Sequence, residues 1–205
     1  MPKSGVQINI AITPEAAVLR QAIALSKQFR AEQERFILNK TSHIPHITIY
    51  RAKFPEKNIP AILDAIRKLT HKFPHLRLTA DSYRQTKNNY MEVMYKKIKM
   101  LARLQKELIQ SINHLRENMP YNQELHYTKT EKRNLERYGY ESAFKNFEPH
   151  LSLTRFPIAA GKLDTRNLPS LKNFSFHTET LDVFLLSKHR THEKIIGRVK
   201  FRGAR

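Results

Sequence analysis

Alternating apolar and polar residues mark several short strands along this chain. From Val6 to Ile12 every second residue is apolar, which predicts a strand with one buried face. Other segments with strand character follow at intervals, and Lys87-Asn88-Asn89 provides a turn between two of them. These further strand candidates are residues 45–51, 76–83, 90–96, 149–155, 174–178, 181–187 and 194–201.

Between these strand candidates, apolar residues at helical spacing and residues typical of helix ends predict helices. Pro14 and Glu15 open a helix that we predict to run to about Asn39. Apolar residues at helical spacing predict two further helices, at 60–72 and 97–117. A fourth begins with the capping box at 128–131 and ends at Gly139. The order of elements predicts an α+β protein with antiparallel sheets, built from two related halves.

Two of the strands have nearly the same sequence. Residues 45–51 read PHITIYR, and residues 149–155 read PHLSLTR. Alternate residues of a strand share one face, so His46 and Thr48 point one way while the aliphatic residues between and after them point into a core. The same argument places His150 and Ser152 on one face of the second strand.

Two imidazoles on opposite sides of one phosphate are the minimum for general acid–base phosphodiester chemistry. Histidine has its ordinary pKa near neutrality, so one pair can supply a base for water and an acid for the leaving oxygen. We expect His150 to act as the base and His46 as the acid. The hydroxyls of Thr48 and Ser152 can donate hydrogen bonds to the non-bridging phosphate oxygens.

An arginine ends each motif and would add positive charge near the phosphate. Strict alternation puts Arg51 and Arg155 on the face opposite the histidines, so they reach the groove only if the strand ends or bulges. A solvated arginine at a strand end is the alternative interpretation of either residue.

Three residues are candidates for contact with a nucleobase. Tyr50 shares the face of His46 under strict alternation and can stack on a base, or it can cap the core at the strand end. Gln7 and Asn9 lie on the polar face of the first strand, where they can read a base edge if that strand adjoins a histidine strand.

Composition narrows the class of partner. The chain has 205 residues, of which 40% are hydrophobic, and it contains no cysteine, so disulfides and thiolate metal sites are excluded. Lys and Arg number 37 against 18 Asp and Glu, a formal net charge of +19. Such an excess attracts polyanions, above all nucleic acid, although it can also serve solubility alone.

Other sequence features limit the kind of site that the chain can form and the cellular compartment that we expect for it. No apolar run is long enough to span a bilayer, and no signal core follows the first residues, so we expect a cytoplasmic protein without membrane contact. No His, Asp and Glu cluster has metal spacing, and five glycines form no phosphate loop. We expect no metal and no cofactor, and a monomer.

The paired motifs, about a hundred residues apart and each ending in arginine, resemble those of the 2H phosphoesterase superfamily, most closely its bacterial 2′-5′ RNA ligase and cyclic phosphodiesterase branch. The resemblance implies a single bilobal domain over residues 1–205, with two pseudo-twofold-related antiparallel sheets and outer helices around a central groove. One lobe would comprise about 1–75 with part of 157–205, and the other about 76–156. It also places Arg155 ahead of Arg51 as a phosphate ligand.

The activity implied by this resemblance is metal-independent cleavage of 2′,3′-cyclic phosphate nucleotides or processing of RNA ends. Joining of RNA through a 2′-5′ linkage would use the same groove, because only the attacking hydroxyl differs. Two alternatives are binding proteins and not enzymes. The first is a nucleotide- or RNA-binding module that keeps the groove but has little turnover. The second is a general basic nucleic-acid binder whose motifs are merely buried strands.

Overall fold

Strands and helices alternate as the pattern predicted. The computed structural model describes residues 5–29, 36–119, 127–157, 164–187 and 191–203, without the side chain of Glu193. Within these ranges the strands are β1 (Gly5–Ile12), β2 (Ile47–Pro55), β3 (Leu76–Leu78), β4 (Ala80–Gln85), β5 (Tyr90–Tyr95), β6 (His150–Arg155), β7 (Phe176–Thr178), β8 (Thr180–Leu186) and β9 (His192–Lys200). The α-helices are α1 (Ala16–Gln28), α2 (Ile59–Thr70), α3 (Lys99–Ile112) and α4 (Lys129–Tyr138). The α+β class is therefore confirmed.

The large antiparallel sheet has seven strands and consists of two halves that meet at its centre. The continuous strand order is β4-β5-β6-β2-β1-β8-β9, but β6 and β2 are joined through one residue pair, Ile47 with Leu151. The three-stranded half β4-β5-β6 therefore touches the four-stranded half β2-β1-β8-β9 along a very short seam. Each half contributes one histidine strand to this seam, so the two motifs are neighbours in space.

The strand predicted at 76–83 is two strands in different sheets. β3 pairs with β7 in a separate two-stranded sheet, whereas β4 pairs with β5 in the large one. The chain changes sheets at Thr79, whose carbonyl accepts a hydrogen bond from the Lys96 amide. The single-strand prediction was wrong because the alternation continues through the change of partner, and pairing is not visible in a local pattern.

The main core lies on the face of the large sheet that the helices cover. Ile8, Ile10 and Ile12 of β1 are buried in it, while Asn9 and Ala11 point to the opposite face. Helix α1 packs against β6, and α3 packs against β2 and α2. Helices that follow strands of one half thus cover a strand of the other half, and they hold the two halves together across the short seam.

Helix α1 ends earlier than predicted. It stops at Gln28, and residues 36–39 are not helical. The Leu38 amide donates a hydrogen bond to the Ser26 hydroxyl at 2.9 Å, so the chain has turned back along the helix by that point. Residues 30–35 of the predicted helix lie outside the described residues. The returning segment becomes a wall of the groove described below.

A β-bulge interrupts each histidine strand at the same motif position. In β2, Thr48 pairs with Ala11 and Tyr50 with Ile10, so Ile49 is the extra residue. In β6, Ser152 pairs with Glu92 and Thr154 with Met91, so the extra residue is Leu153. A bulge shifts every later side chain to the other face of the sheet.

Gln105 of α3 completes the hydrogen bonds of the bulge in β2. Its side chain is buried, and its amide group donates to the carbonyls of Ile49 at 3.0 Å and Ser142 at 3.1 Å. Its carbonyl oxygen accepts from the Phe144 amide at 2.9 Å. One buried and two partly buried backbone hydrogen bonds therefore depend on one side chain.

Among the described residues, no helix combines the length and the apolar character that crossing a bilayer requires.

Replacing Gln105 by methionine should destabilise the protein markedly. The Gln105→Met variant keeps the volume but removes one buried and two partly buried backbone hydrogen bonds, so we expect a loss of about 3 kcal/mol in the free energy of unfolding, measured in urea. Gln110→Met, at an exposed position of the same helix, is the control and should stay within about 0.5 kcal/mol of wild type. Equal stability of the two variants would contradict this account of the bulge.

Candidate active site

The two histidine rings are anchored in the same way. Nδ1 of His46 lies 2.7 Å from the carbonyl oxygen of Ile44, and Nδ1 of His150 lies 2.7 Å from that of Glu148. A carbonyl oxygen only accepts, so Nδ1 of each ring carries the proton in these contacts. The neutral form of each ring therefore presents an unprotonated Nε2, the atom that can take a proton from a substrate or from water.

The register at the seam places each histidine beside the hydroxyl residue of the other motif. Because Ile47 pairs with Leu151 in antiparallel fashion, His46 lies across from Ser152, and Thr48 lies across from His150. All four side chains line one cavity on the groove face of the sheet, and we refer to these four residues as the square. An anion at its centre would have one imidazole and one hydroxyl on each side.

The bulges bring both arginines to the face of the histidines. Arg51 and Arg155 line the same cavity as the two rings, which strict alternation would not have allowed. Arg51 donates to the Glu141 carboxylate at 3.2 Å. Arg155 donates to the Asn88 carbonyl at 3.1 Å and stacks on the Tyr90 ring, with its guanidinium carbon 4.9 Å from the ring centroid.

A cavity of about 590 Å³ opens over this square. Its volume is typical of a site for a small organic ligand. The lining combines histidines, hydroxyls, arginines, amides and a few apolar side chains: Asn9, Phe36, Leu38, Ser42, His43, Ile44, His46, Thr48, Arg51, Asn88, Tyr90, His150, Ser152, Arg155, Leu186 and His192. Six of these residues come from the two motifs.

The surroundings of His46 keep its ring neutral. Burial, together with the neighbouring His192, lowers the pKa of His46 to about 3. The rings of His46 and His192 meet edge to face with centroids 4.6 Å apart. Burial likewise lowers the pKa of His192 to about 4, and both its ring nitrogens lack a hydrogen-bond partner.

The surroundings of His150 are different. Its Nε2 lies 3.6 Å from Oε1 of Glu92, a carboxylate on β5 that is almost fully buried. The other carboxylate oxygen of Glu92 holds the guanidinium of Arg84 at 3.0 Å. The chemical environment thus distinguishes two histidines whose motifs and backbone contacts are alike.

Of the three residues expected to contact a base, the structure places one in the cavity. Tyr50 is fully buried, and its hydroxyl donates to the Tyr138 carbonyl at 2.7 Å, so the expectation that it faces the groove was wrong. The bulge at Ile49 turns Tyr50 into the core. Gln7 lies outside the cavity lining, whereas Asn9 is part of it and has a buried side-chain oxygen without a hydrogen-bond partner.

The returning segment 36–44 adds residues that the sequence did not single out. The Asn39 side chain accepts hydrogen bonds from three successive backbone amides, those of residues 41–43, and so shapes the loop. Phe36 and His43 stack with centroids 5.5 Å apart and form one wall, with Tyr90 beside Phe36. The position of His43 in the cavity lining depends on the path of this loop, which no local sequence pattern reveals.

Within the part of the chain that the structure describes, no group of three or more His, Cys, Asp or Glu side chains is arranged to hold a metal ion.

Comparison with solved structures identifies the fold. The chain is similar to E. coli LigT in its complex with phosphate, at 17% identity and a TM-score of 0.63, over 96% of this chain and 98% of that one. It is also similar to TT0787 of Thermus thermophilus, at 16% identity and a TM-score of 0.69, over 97% and 100%. A structure described as a phosphoesterase matches at 15% identity and a TM-score of 0.66, over 97% and 99%.

No family model matches the sequence, and no curated protein matches it. The likeness to solved structures therefore establishes the fold alone, and it confirms that this chain has the predicted α+β fold, which it shares with LigT and with the structure described as a phosphoesterase.

The neutral histidines of the groove predict a loss of stability in mild acid. The pKa of His192 is about 4 in the folded protein against an ordinary value of 6.5, so the unfolded chain binds the extra proton first. The stabilisation is complete above pH 6.5 and is lost as the pH falls toward 4. Between pH 7.5 and 4.5, the free energy of unfolding in urea should fall less for His192→Phe than for wild type. We expect the two decreases to differ by on the order of 2 kcal/mol.

The control for this prediction is His177→Gln, at an exposed position of β7, which should keep the wild-type pH dependence. Parallel curves for wild type and His192→Phe would contradict the assignment of a buried neutral ring at residue 192.

Proposed function

We propose that this protein is a metal-independent phosphodiesterase that acts on 2′,3′-cyclic phosphate nucleotides or on RNA ends, with two histidines as acid and base. The observation that carries the proposal is the square of His46, Thr48, His150 and Ser152 at the seam, with an arginine brought to each side by a matching bulge. Such symmetry about one point suits a single phosphorus atom.

The geometry divides the reaction among these groups. One imidazole removes a proton from the attacking water, and the other gives a proton to the departing ribose oxygen, so the two must flank the phosphorus for in-line displacement. Thr48 and Ser152 donate hydrogen bonds to the non-bridging oxygens. Arg51 and Arg155 supply positive charge, which favours binding of the anionic diester.

Nucleotide complexes of a protein with this fold support the substrate class. E. coli LigT has been crystallised with phosphate, 3′-AMP, ATP and NADP+. The net charge of +19 favours a polyanionic partner and therefore RNA ends over free mononucleotides. Joining of RNA ends through a 2′-5′ linkage would proceed in the same groove, with a ribose hydroxyl in the place of water.

Hydrolysis of the four 2′,3′-cyclic mononucleotides in EDTA tests the activity. We expect turnover by the wild type, and a fall in kcat of about 10²- to 10⁴-fold in both His46→Ala and His150→Ala, because each variant lacks one proton-transfer group. His177→Ala, which removes an exposed histidine from β7, should retain wild-type turnover.

The same assay on short RNA with a cyclic phosphate end covers the second substrate. Turnover that survives both histidine substitutions would contradict the mechanism. Binding of these ligands without turnover by the wild type would favour the alternative of a binding module.

Arg155 should contribute to phosphate binding, and calorimetry with inorganic phosphate measures this directly. Its guanidinium is held over the Tyr90 ring at the rim of the cavity, so Arg155→Gln removes a positioned charge. We expect phosphate to bind about tenfold more weakly, which corresponds to about 1.5 kcal/mol for a charge-assisted hydrogen bond. Arg77→Gln, at an exposed position of β3, removes the same charge elsewhere. Equal affinity of the two variants would contradict a role for Arg155.

A further inference from the structure

The two histidine motifs are local copies of each other, but one pair of equivalent neighbours differs in charge. Thr48 pairs with Ala11 on β1, just before the bulge in β2. Ser152 occupies the equivalent place in β6 and pairs with Glu92 on β5. Directly paired residues share a face of the sheet, so Ala11 and Glu92 both point to the groove side. One half of the site therefore has a methyl group where the other has a carboxylate.

On the His46 side, the adjacent rings are apolar or neutral. Ala11 belongs to a small buried cluster with Phe184 and Leu186, which is separate from the main core. The His46 ring lies 6.3 Å from the ring of Phe184 and 4.6 Å from that of His192. The charged or titratable groups that act on His46 are His192, Arg51 and His150, and each opposes a positive charge on its ring.

On the His150 side, a fixed carboxylate faces the ring. Both Nε and Nη2 of Arg84 donate to Oε2 of Glu92, at 3.3 and 3.0 Å, while Oε1 lies 3.6 Å from Nε2 of His150. Arg84 also pairs with the Glu148 carboxylate, so it is held from two sides. A separation of 3.6 Å suits attraction between charges but is too long for a hydrogen bond, which leaves the Nε2 proton available to the cavity.

We propose that Glu92 is a positioning residue that holds a proton on Nε2 of His150, and that it thereby makes His150 the acid and His46 the base of the reaction. This inference rests on the proposed function for its chemical roles. It reverses the assignment expected from the sequence, in which His150 was the base and His46 the acid. The reversal follows from Glu92 and from the apolar neighbours of His46, which the motifs themselves do not contain.

The resulting hydrolytic step balances without a further reactant. Nε2 of His46 takes a proton from water as the water oxygen forms its bond to phosphorus. The bond from phosphorus to one ribose oxygen of the cyclic phosphate breaks, and that oxygen takes the proton from Nε2 of His150. Solvent then returns a proton to His150 and removes one from His46, and the product is a nucleoside monophosphate.

Ring NMR of the histidines tests the coupling without any need for turnover. The protein is labelled in its histidine rings, and the His150 and His46 signals are identified by their absence from the respective alanine variants. We expect Glu92→Gln to move the titration of the His150 signal toward lower pH, because an opposite charge 3.6 Å from Nε2 has been removed. Glu107→Gln, which removes the same charge from an ion pair on α3, should leave the midpoint unchanged.

The pH profile of kcat/KM on a 2′,3′-cyclic nucleotide tests the roles. The basic limb reports loss of the proton from the acid, so Glu92→Gln should move this limb toward lower pH, while Glu107→Gln leaves it in place. A structural effect of the substitution would lower the rate at every pH without moving a limb. A shift of the acidic limb instead would overturn the assignment.

A measurement on the wild type keeps the proposal testable if Glu92→Gln does not fold, which circular dichroism would reveal. The His150 signal should then keep its proton to a higher pH than the His46 signal, and the reverse order would overturn the proposal. An unchanged His150 midpoint in folded Glu92→Gln would also overturn it. A shifted midpoint in a protein that turns over no substrate would support the coupling but reject the proposed function and, with it, the acid and base roles.

Discussion

The geometry of the site depends on one backbone pair. Ile47 and Leu151 join the two halves of the large sheet at a single point, and the strands diverge on either side of it. This pairing sets each histidine across from the hydroxyl residue of the other motif. A different register by one residue would turn one motif toward the core, since side chains alternate along a strand. The two aliphatic residues of the pair are themselves fully buried, so the register is tied to the packing of the core.

The sequence could predict those features that depend only on neighbouring residues along the chain. Alternation around His46 and His150 identified two strands with a polar face, and the capping box at Thr128 marked the start of α4 where the structure has it. The bulges could not be located in this way, because an extra residue exists only relative to a partner strand. For this reason the sequence left Tyr50 with two alternatives, stacking on a base or packing in the core, and the structure places it in the core. The end of α1 was missed because a hydrogen bond from Leu38 to Ser26, not a local stop signal, marks the return of the chain.

The residues that surround the two motifs could not be predicted from local patterns either. Glu92, His192 and Phe36 come from separate parts of the sequence, and none has a pattern that links it to the histidines. They reach the site through strand pairing and through the Asn39 loop. A duplicated motif therefore predicts symmetry, whereas the differences between the surroundings of its two copies lie in strands and loops outside the motif.

Each of two helices packs on the half of the sheet to which its preceding strand does not belong, so the width of the groove depends on packing on the opposite face of the sheet. Helix α1 follows a strand of the four-stranded half but packs on β6, and α3 follows a strand of the three-stranded half but packs on β2. Because one residue pair joins the two halves at the seam, the packing of these two helices fixes how the halves are oriented and therefore how far apart the imidazoles lie. The spacing of the two imidazoles therefore depends on apolar side chains of the core such as Leu25 and Leu104, which lie outside the cavity lining. Substitutions in the core can change the width of the groove while every residue that lines it stays the same.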